Sequence, residues 1–242
     1  DVLLKEAEVR ISPKVDCLPV SPKESDIDRA VEIISKAKRP CIWAGGGAIT
    51  GDATSALVRL AESWEVPVVV SQGGKGAFPE DHPRFLGCAS GQRVLGPNPC
   101  GDFLSACDLL LVAGSTLGHF HTKMWGLELP ATIIHITLDA EMIGKVYPTE
   151  LGIVADLRTT LERLVEAIES RGIGCSKAFQ DEVRALKEES ERTLWDFKPN
   201  ETRTMRAIRE VIPRDAICCF DPSAPAYASG RKFPIYHPRT YM

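Results

Sequence analysis

The sequence predicts an α/β fold: a doubly wound, mostly parallel Rossmann-like sheet followed by an incomplete second α/β unit. Three observations carry this expectation. Short apolar runs alternate with segments of helical periodicity, as strands and crossover helices do in βα units. The runs are apolar at nearly every position, the pattern of strands covered on both faces. The first run, Cys41-Ile42-Trp43-Ala44, ends in Gly45-Gly46-Gly47 just before another helical stretch.

Residues 1–25 contain Pro13, Pro19 and Pro22 with little periodicity and read as an inter-domain linker. A helix should start at Ser25-Asp26, capped by Ser25, with Ile27, Ala30, Val31, Ile34 and Ala37 on its buried face, and end by Pro40. After the 41–44 strand comes a helix at 53–64, then a second strand at Pro67-Val68-Val69-Val70. The glycine-rich segment 71–83 holds aromatic and apolar anchors that should order it. Its Lys75 reads equally as an anion contact or a solvated charge. Strands at Asp108–Ser115, Thr132–Ile136 and Leu151–Val154 follow, and Asp156 caps a helix through Leu157, Leu161, Leu164, Val165 and Ile168. Residues 26–172 therefore read as one Rossmann-like domain.

Residues 173–201 read as a helical linker, with the charged run Lys187–Arg192 as a solvated face. In 202–242 a helix at 204–211 precedes an apolar strand, Ala216–Asp221. One helix and one strand cannot bury a core. This region is expected to be the truncated start of a further domain, with exposed apolar surface around Ile217–Phe220 and Phe233–Tyr236.

Composition narrows the function. With 44% apolar residues, 26% charged residues and a net charge of −4, nothing points to nucleic acid or an anionic membrane as a partner. There is no apolar run of about 18 residues and the opening residues lack a signal-peptide pattern, so the expected location is cytoplasmic. The eight cysteines include no C-x-x-C pair and read as buried thiols rather than metal ligands or disulfides. His119-x-His121 reads as a loop feature. Neither end carries a cap or a polar tail, so the chain is expected to be a piece of something longer.

Ligands on doubly wound sheets bind at the carboxyl ends of strands. Those ends are here Gly45–Gly47, Ser71–Gly74, Gly114–Thr116, Ile136–Leu138 and Ala155-Asp156. A glycine turn opening a helix can present amides to a diphosphate, or can simply pack the strand closely against the helix.

The order of motifs resembles the acetolactate synthase branch of the thiamine-diphosphate enzymes. Arg39-Pro40 through Gly47 is similar to the first strand and turn of that family's central domain, and Gly74-Lys75-Gly76-Ala77-Phe78-Pro79 with His82-Pro83 to its next loop. The match continues through Asp108–Ser115, Ile133-Ile134-His135-Ile136 with Asp139, Ile143-Gly144-Lys145 and Val154-Ala155-Asp156. Residues 202–242 resemble the entry to the diphosphate-binding domain. The resemblance implies a 2-oxo acid decarboxylase or carboligase that uses thiamine diphosphate and Mg²⁺ and assembles as a homo-oligomer. It also implies that this stretch supplies neither the cofactor-activating glutamate nor the Gly-Asp-Gly metal motif, and should be inactive alone.

For the central domain, the resemblance implies binding of FAD, of ADP or of no nucleotide, and, where one binds, a site at Gly45, Gly46, Gly47, Gln72, Gly73, Gly114, Ser115 and Asp156. Two positions depart from the pattern. Thr116-Leu117-Gly118 stands where the family carries an arginine after the Gly-Ser turn, and Thr137 stands where it has an acid. The alternative reading is a free-standing nucleotide-binding or interaction module with a sirtuin-like sheet.

Overall fold

The computed structural model describes residues 18–89, 99–221 and 224–242. Cys17, the Asp1-Val2-Leu3 opening and most of the 1–25 linker lie outside the described residues. Six strands form one all-parallel sheet: β1 (Pro40–Ala44), β2 (Val68–Ser71), β3 (Phe85–Ala89), β4 (Leu109–Ala113), β5 (Thr132–Thr137) and β6 (Leu151–Val154), in the spatial order β3-β2-β1-β4-β5-β6.

Alternation along each strand divides the core into two layers. Ile42, Ala44, Val68, Val70 and Leu111 point to one face, where they meet α1 (Glu24–Lys36), α3 (Thr54–Trp64) and α5 (Leu157–Arg171). Cys41, Trp43, Val69, Leu110 and Val112 point to the other, beneath α4 (Pro99–Ala106) and α6 (Lys177–Asp196). Leu57, Leu60 and Trp43 are fully buried or nearly so, each contributing roughly 1.5–3 kcal/mol or more of transfer free energy.

Helix ends follow local chemistry. Asp156 Oδ1 accepts from the Thr159 amide at 2.8 Å and starts α5, which stops where Gly172 turns left-handed at φ 60°. Ser176 Oγ accepts from the Phe179 amide and starts α6. Pro199 begins α7 (Pro199–Val211), where its missing N–H costs nothing. The short α2 (Gly46–Thr50) follows β1, and α8 (Ala224–Lys232) lies near the end of the described residues.

Several expectations are corrected. Ser25 does not cap α1, which starts one residue earlier with Lys23 at the cap position and no side-chain bond there. Strand β3 was missed because Gly87, at φ 151°, interrupts a short run, and β2–β3 pairing slips in register between Val68 and Val69. The strand expected at Ala216–Asp221 is an isolated bridge, Cys218 to Tyr241. Phe233 and Ile235 are buried, not exposed: with Met205, Ala228 and Phe220 they form a third apolar cluster. Ile217 does stay exposed. The Lys187–Arg192 run is only partly solvated, since Ser190 is buried and Lys187 Nζ donates to the His82 carbonyl at 2.9 Å.

Candidate functional site

The order in which successive strands are added across the parallel sheet reverses between β1 and β4, the position where doubly wound sheets open a crevice. The turns that leave these two strands are Gly45–Gly47 and Gly114-Ser115, and they interlock through their backbones. The Gly45 amide donates to the Ala113 carbonyl at 2.9 Å and the Gly47 amide to the Gly114 carbonyl at 2.8 Å. A Cβ on Gly45 would stand 2.4 Å from Gly114 O, and one on Gly47 2.7 Å from the same atom. Gly114 has φ +60°, a left-handed conformation that favours glycine. The turn after β2 joins the node: a Cβ on Gly46 would lie 2.9 Å from Gly73 O, and one on Gly74 2.6 Å from Ala44 O.

The structure thus gathers Gly45, Gly46, Gly47, Gly73, Gly114 and Ser115 at one place. Gln72 stands beside them but faces α8, its Cδ 3.7 Å from where Gly230 would carry a Cβ. Asp156 stands apart, beyond β6 and two strands from β4, with Oδ1 bonded to both the amide and the hydroxyl of Thr159.

As a diphosphate cradle the node is poorly supplied. Three of its five glycine amides, those of Gly45, Gly47 and Gly114, already serve backbone carbonyls, and Ser115 Oγ accepts from the Leu117 amide at 3.3 Å. Close packing of three turns is sufficient reason for the glycines. Gly73 is the open position, with no atom within 4 Å of its would-be Cβ.

The β4–β5 loop beside the crevice presents Phe120, Met124 and Trp125 to solvent, with Leu138 exposed after β5. His119 meets the Phe120 and Trp125 rings edge-on, at 5.2 and 4.9 Å between centroids. His135 on β5 is buried, and burial pushes its pKa below the usual imidazole value. Its Nε2 donates to the Ser115 carbonyl at 2.8 Å, which fixes the neutral tautomer and braces the β4 turn. Thr137 accepts from the Asp139 amide through Oγ1 and serves its own turn.

Lys75 fits neither sequence reading. Its ammonium is fully buried and pairs with Glu80 Oε1 at 2.5 Å, under the Tyr241 ring at 5.4 Å. Burial pushes the Glu80 carboxyl above the usual range, and the Lys75 charge opposes that shift. The Glu80 amide donates to the Ile235 carbonyl at 3.0 Å, so the 71–83 loop clasps the 233–241 segment. Arg214 to Asp81 and Arg239 to Asp52 add two exposed ion pairs that tie residues 202–242 to the sheet domain.

Residues 27–164 match the family model described as the thiamine pyrophosphate enzyme central domain. The chain belongs to that family. Over 207 residues it is 31% identical to a probable acetolactate synthase large subunit from Methanocaldococcus jannaschii, covering 84% of this chain and 34% of that protein. It is 31% identical over 230 residues to the acetolactate synthase large subunit of Corynebacterium glutamicum, covering 90% of this chain and 36% of the relative. A glyoxylate carboligase from Escherichia coli O157:H7 is 34% identical over 166 residues, covering 66% and 28%. The chain spans about a third of the length of these relatives.

Among the described residues no group of three His, Cys, Asp or Glu side chains is placed to hold an ion. Of the two Gly-Asp pairs, Asp52 is ion-paired with Arg239 at 3.3 Å and Asp102 lies in the first turn of α4. Among the described residues no helix is long and apolar enough to cross a membrane.

Proposed function

We propose that this chain is the central portion of a thiamine-diphosphate-dependent enzyme that decarboxylates a 2-oxo acid and passes the acyl unit to an acceptor. Its sheet is the scaffold. The thiamine diphosphate and Mg²⁺ are held by protein outside these 242 residues, and the chain alone is inactive. The observation that carries this reading is the family match over 27–164, joined to relatives named as a synthase and a carboligase. The exposed Phe120, Met124 and Trp125 support homo-oligomeric assembly of the complete enzyme, which we propose is cytoplasmic. The test is the intact mass of the native protein captured from its source cells with an antibody to this chain. About three times 26.5 kDa is expected from the share of the relatives covered. A native chain ending at Met242 would overturn the reading.

Adenine-nucleotide binding, as FAD or ADP, is a second property of the same domain, supported by the open face of Gly73 at the switch point. Gly46→Asp is a poor probe, because a Cβ there already collides with Gly73 O at 2.9 Å. Gly73→Glu adds a Cβ that meets nothing within 4 Å and brings a carboxylate to the node. Titration of the chain with ADP and with FAD, followed by calorimetry, is expected to show saturable binding that Gly73→Glu weakens about tenfold or more through charge repulsion. Absence of saturable binding by either nucleotide removes this property and leaves the scaffold reading intact.

A further inference from the structure

A cavity of about 280 Å³ lies away from the strand-end crevice, between β3, the start of α4, α6, α7 and the end of α8. Its size is near the lower end of the roughly 300–1,000 Å³ typical of small-molecule sites. Three cations line it: Lys187 from α6, Arg206 from α7 and Arg231 from α8. Three carboxylates also line it, but two are neutralised by cations that do not. Glu80 pairs with the buried Lys75 at 2.5 Å, and Asp81 with Arg214 at 2.5 Å. Arg231 is engaged in interactions of its own. With Lys75 and Arg214 set against Glu80 and Asp81, Glu191 alone opposes Lys187 and Arg206, so these groups leave the cavity net positive.

Arg206 gives the site its direction. Its Nε is buried without a hydrogen-bond partner among the described residues, and no ion pair to it exists among them. A buried guanidinium donor left unbonded costs free energy that a bound oxyanion would recover, and the planar fork of arginine suits a carboxylate or phosphate. Phe85, Leu86, Leu194 and Pro234 give the wall an apolar part, with the polar Ser190 and Tyr236 also lining it.

We propose that this cavity binds a small organic oxyanion, its carboxylate or phosphate held by Arg206 beside Lys187, and its apolar part against Phe85 and Leu194. The inference does not depend on the thiamine-diphosphate reading, since every group it uses is in this chain.

Calorimetric titration of the full 242-residue chain at low ionic strength, with pyruvate and separately with inorganic phosphate, tests it. Saturable binding of at least one probe is expected, and whichever binds more tightly identifies the head group. Arg206→Gln should weaken that binding about tenfold or more, the effect of losing a charge-assisted hydrogen bond. Leu194→Trp, which fills the cavity from α6 and leaves the arginines in place, should abolish it. Added salt should weaken it. The proposal is overturned if neither probe binds saturably, or if binding survives both variants unchanged in protein whose circular dichroism matches that of the parent chain.

Discussion

Gly45→Ala is expected to prevent stable folding. The added methyl would lie 2.4 Å from Gly114 O and 2.6 Å from both Ser115 Cα and Cβ, and two of these three atoms are backbone. They cannot swing aside as the end of a flexible side chain would. The β4 turn they belong to is braced from three sides: by the Gly45 and Gly47 amides, by His135 Nε2, and by the Gly114 amide donating to Ile136 O at 3.0 Å. Relief therefore requires parting β1 from β4 at the centre of the sheet. The cost should reach or exceed about 3 kcal/mol, the upper end for ordinary overpacking. That is a large share of the roughly 5–15 kcal/mol that stabilises a domain. Gly73→Ala is the control. Its methyl meets nothing within 4 Å, and stability should change by less than about 0.5 kcal/mol. Urea unfolding of both variants measures the contrast, and equal midpoints would show that the interlocked turns are not what requires glycine at position 45.

The second large effect is expected at the buried ion pair. Lys75→Met removes the cation and leaves Glu80, whose side chain is 6% exposed, without its charge partner. Breaking a buried pair from one side costs about 3–5 kcal/mol. The pH dependence follows from the direction of the Glu80 shift. A carboxyl whose folded pKa lies above its unfolded value of 4.5 favours the folded state when protonated, and that contribution is lost as pH rises through the folded pKa. Removing Lys75 raises the folded pKa further, because the charge that opposed the shift is gone. The stability gap between Lys75→Met and the parent should therefore be smallest below about pH 4.5 and widen towards neutral pH. Adding Glu80→Leu should close most of the gap at pH 7, since an apolar pair of similar size can replace a buried ion pair at little cost. A gap that is constant with pH would mean that Lys75 acts through packing alone.

These two sites differ in how legible they were. The glycine turns stand at the ends of continuously apolar strands, so their place at the carboxyl edge follows from the pattern of Cys41–Ala44 and Leu109–Ala113. Their partners were not legible, because no local spacing says that Gly45 faces Gly114. Lys75 was unreadable for a related reason. Its acid is five residues along the chain, but the cover that buries the pair comes from Ile235 and Tyr241, some 160 residues away. The one local signal was opposite charge at Lys75 and Glu80 flanking the apolar Ala77-Phe78. Residues 202–242 looked unable to bury a core because α8, which contains Gly230, has weak helical periodicity. With α8 present, Phe233 stacks edge-on against Phe220 at 5.1 Å, and Arg209 lies over the Phe233 and Tyr236 rings. The cavity lined by Arg206 depends on five separate segments and leaves no trace in any one of them.

The measurement that tests the central claim most directly is the thiamine diphosphate content of the native protein, purified from its source cells by an antibody to this chain and assayed by thiochrome fluorescence. Thiamine diphosphate approaching one molecule per native chain, lost on dialysis against a metal chelator, is the predicted result. A native protein that carries none, and takes up none when supplied with thiamine diphosphate and Mg²⁺, would contradict the assignment of this chain to a working thiamine-diphosphate enzyme.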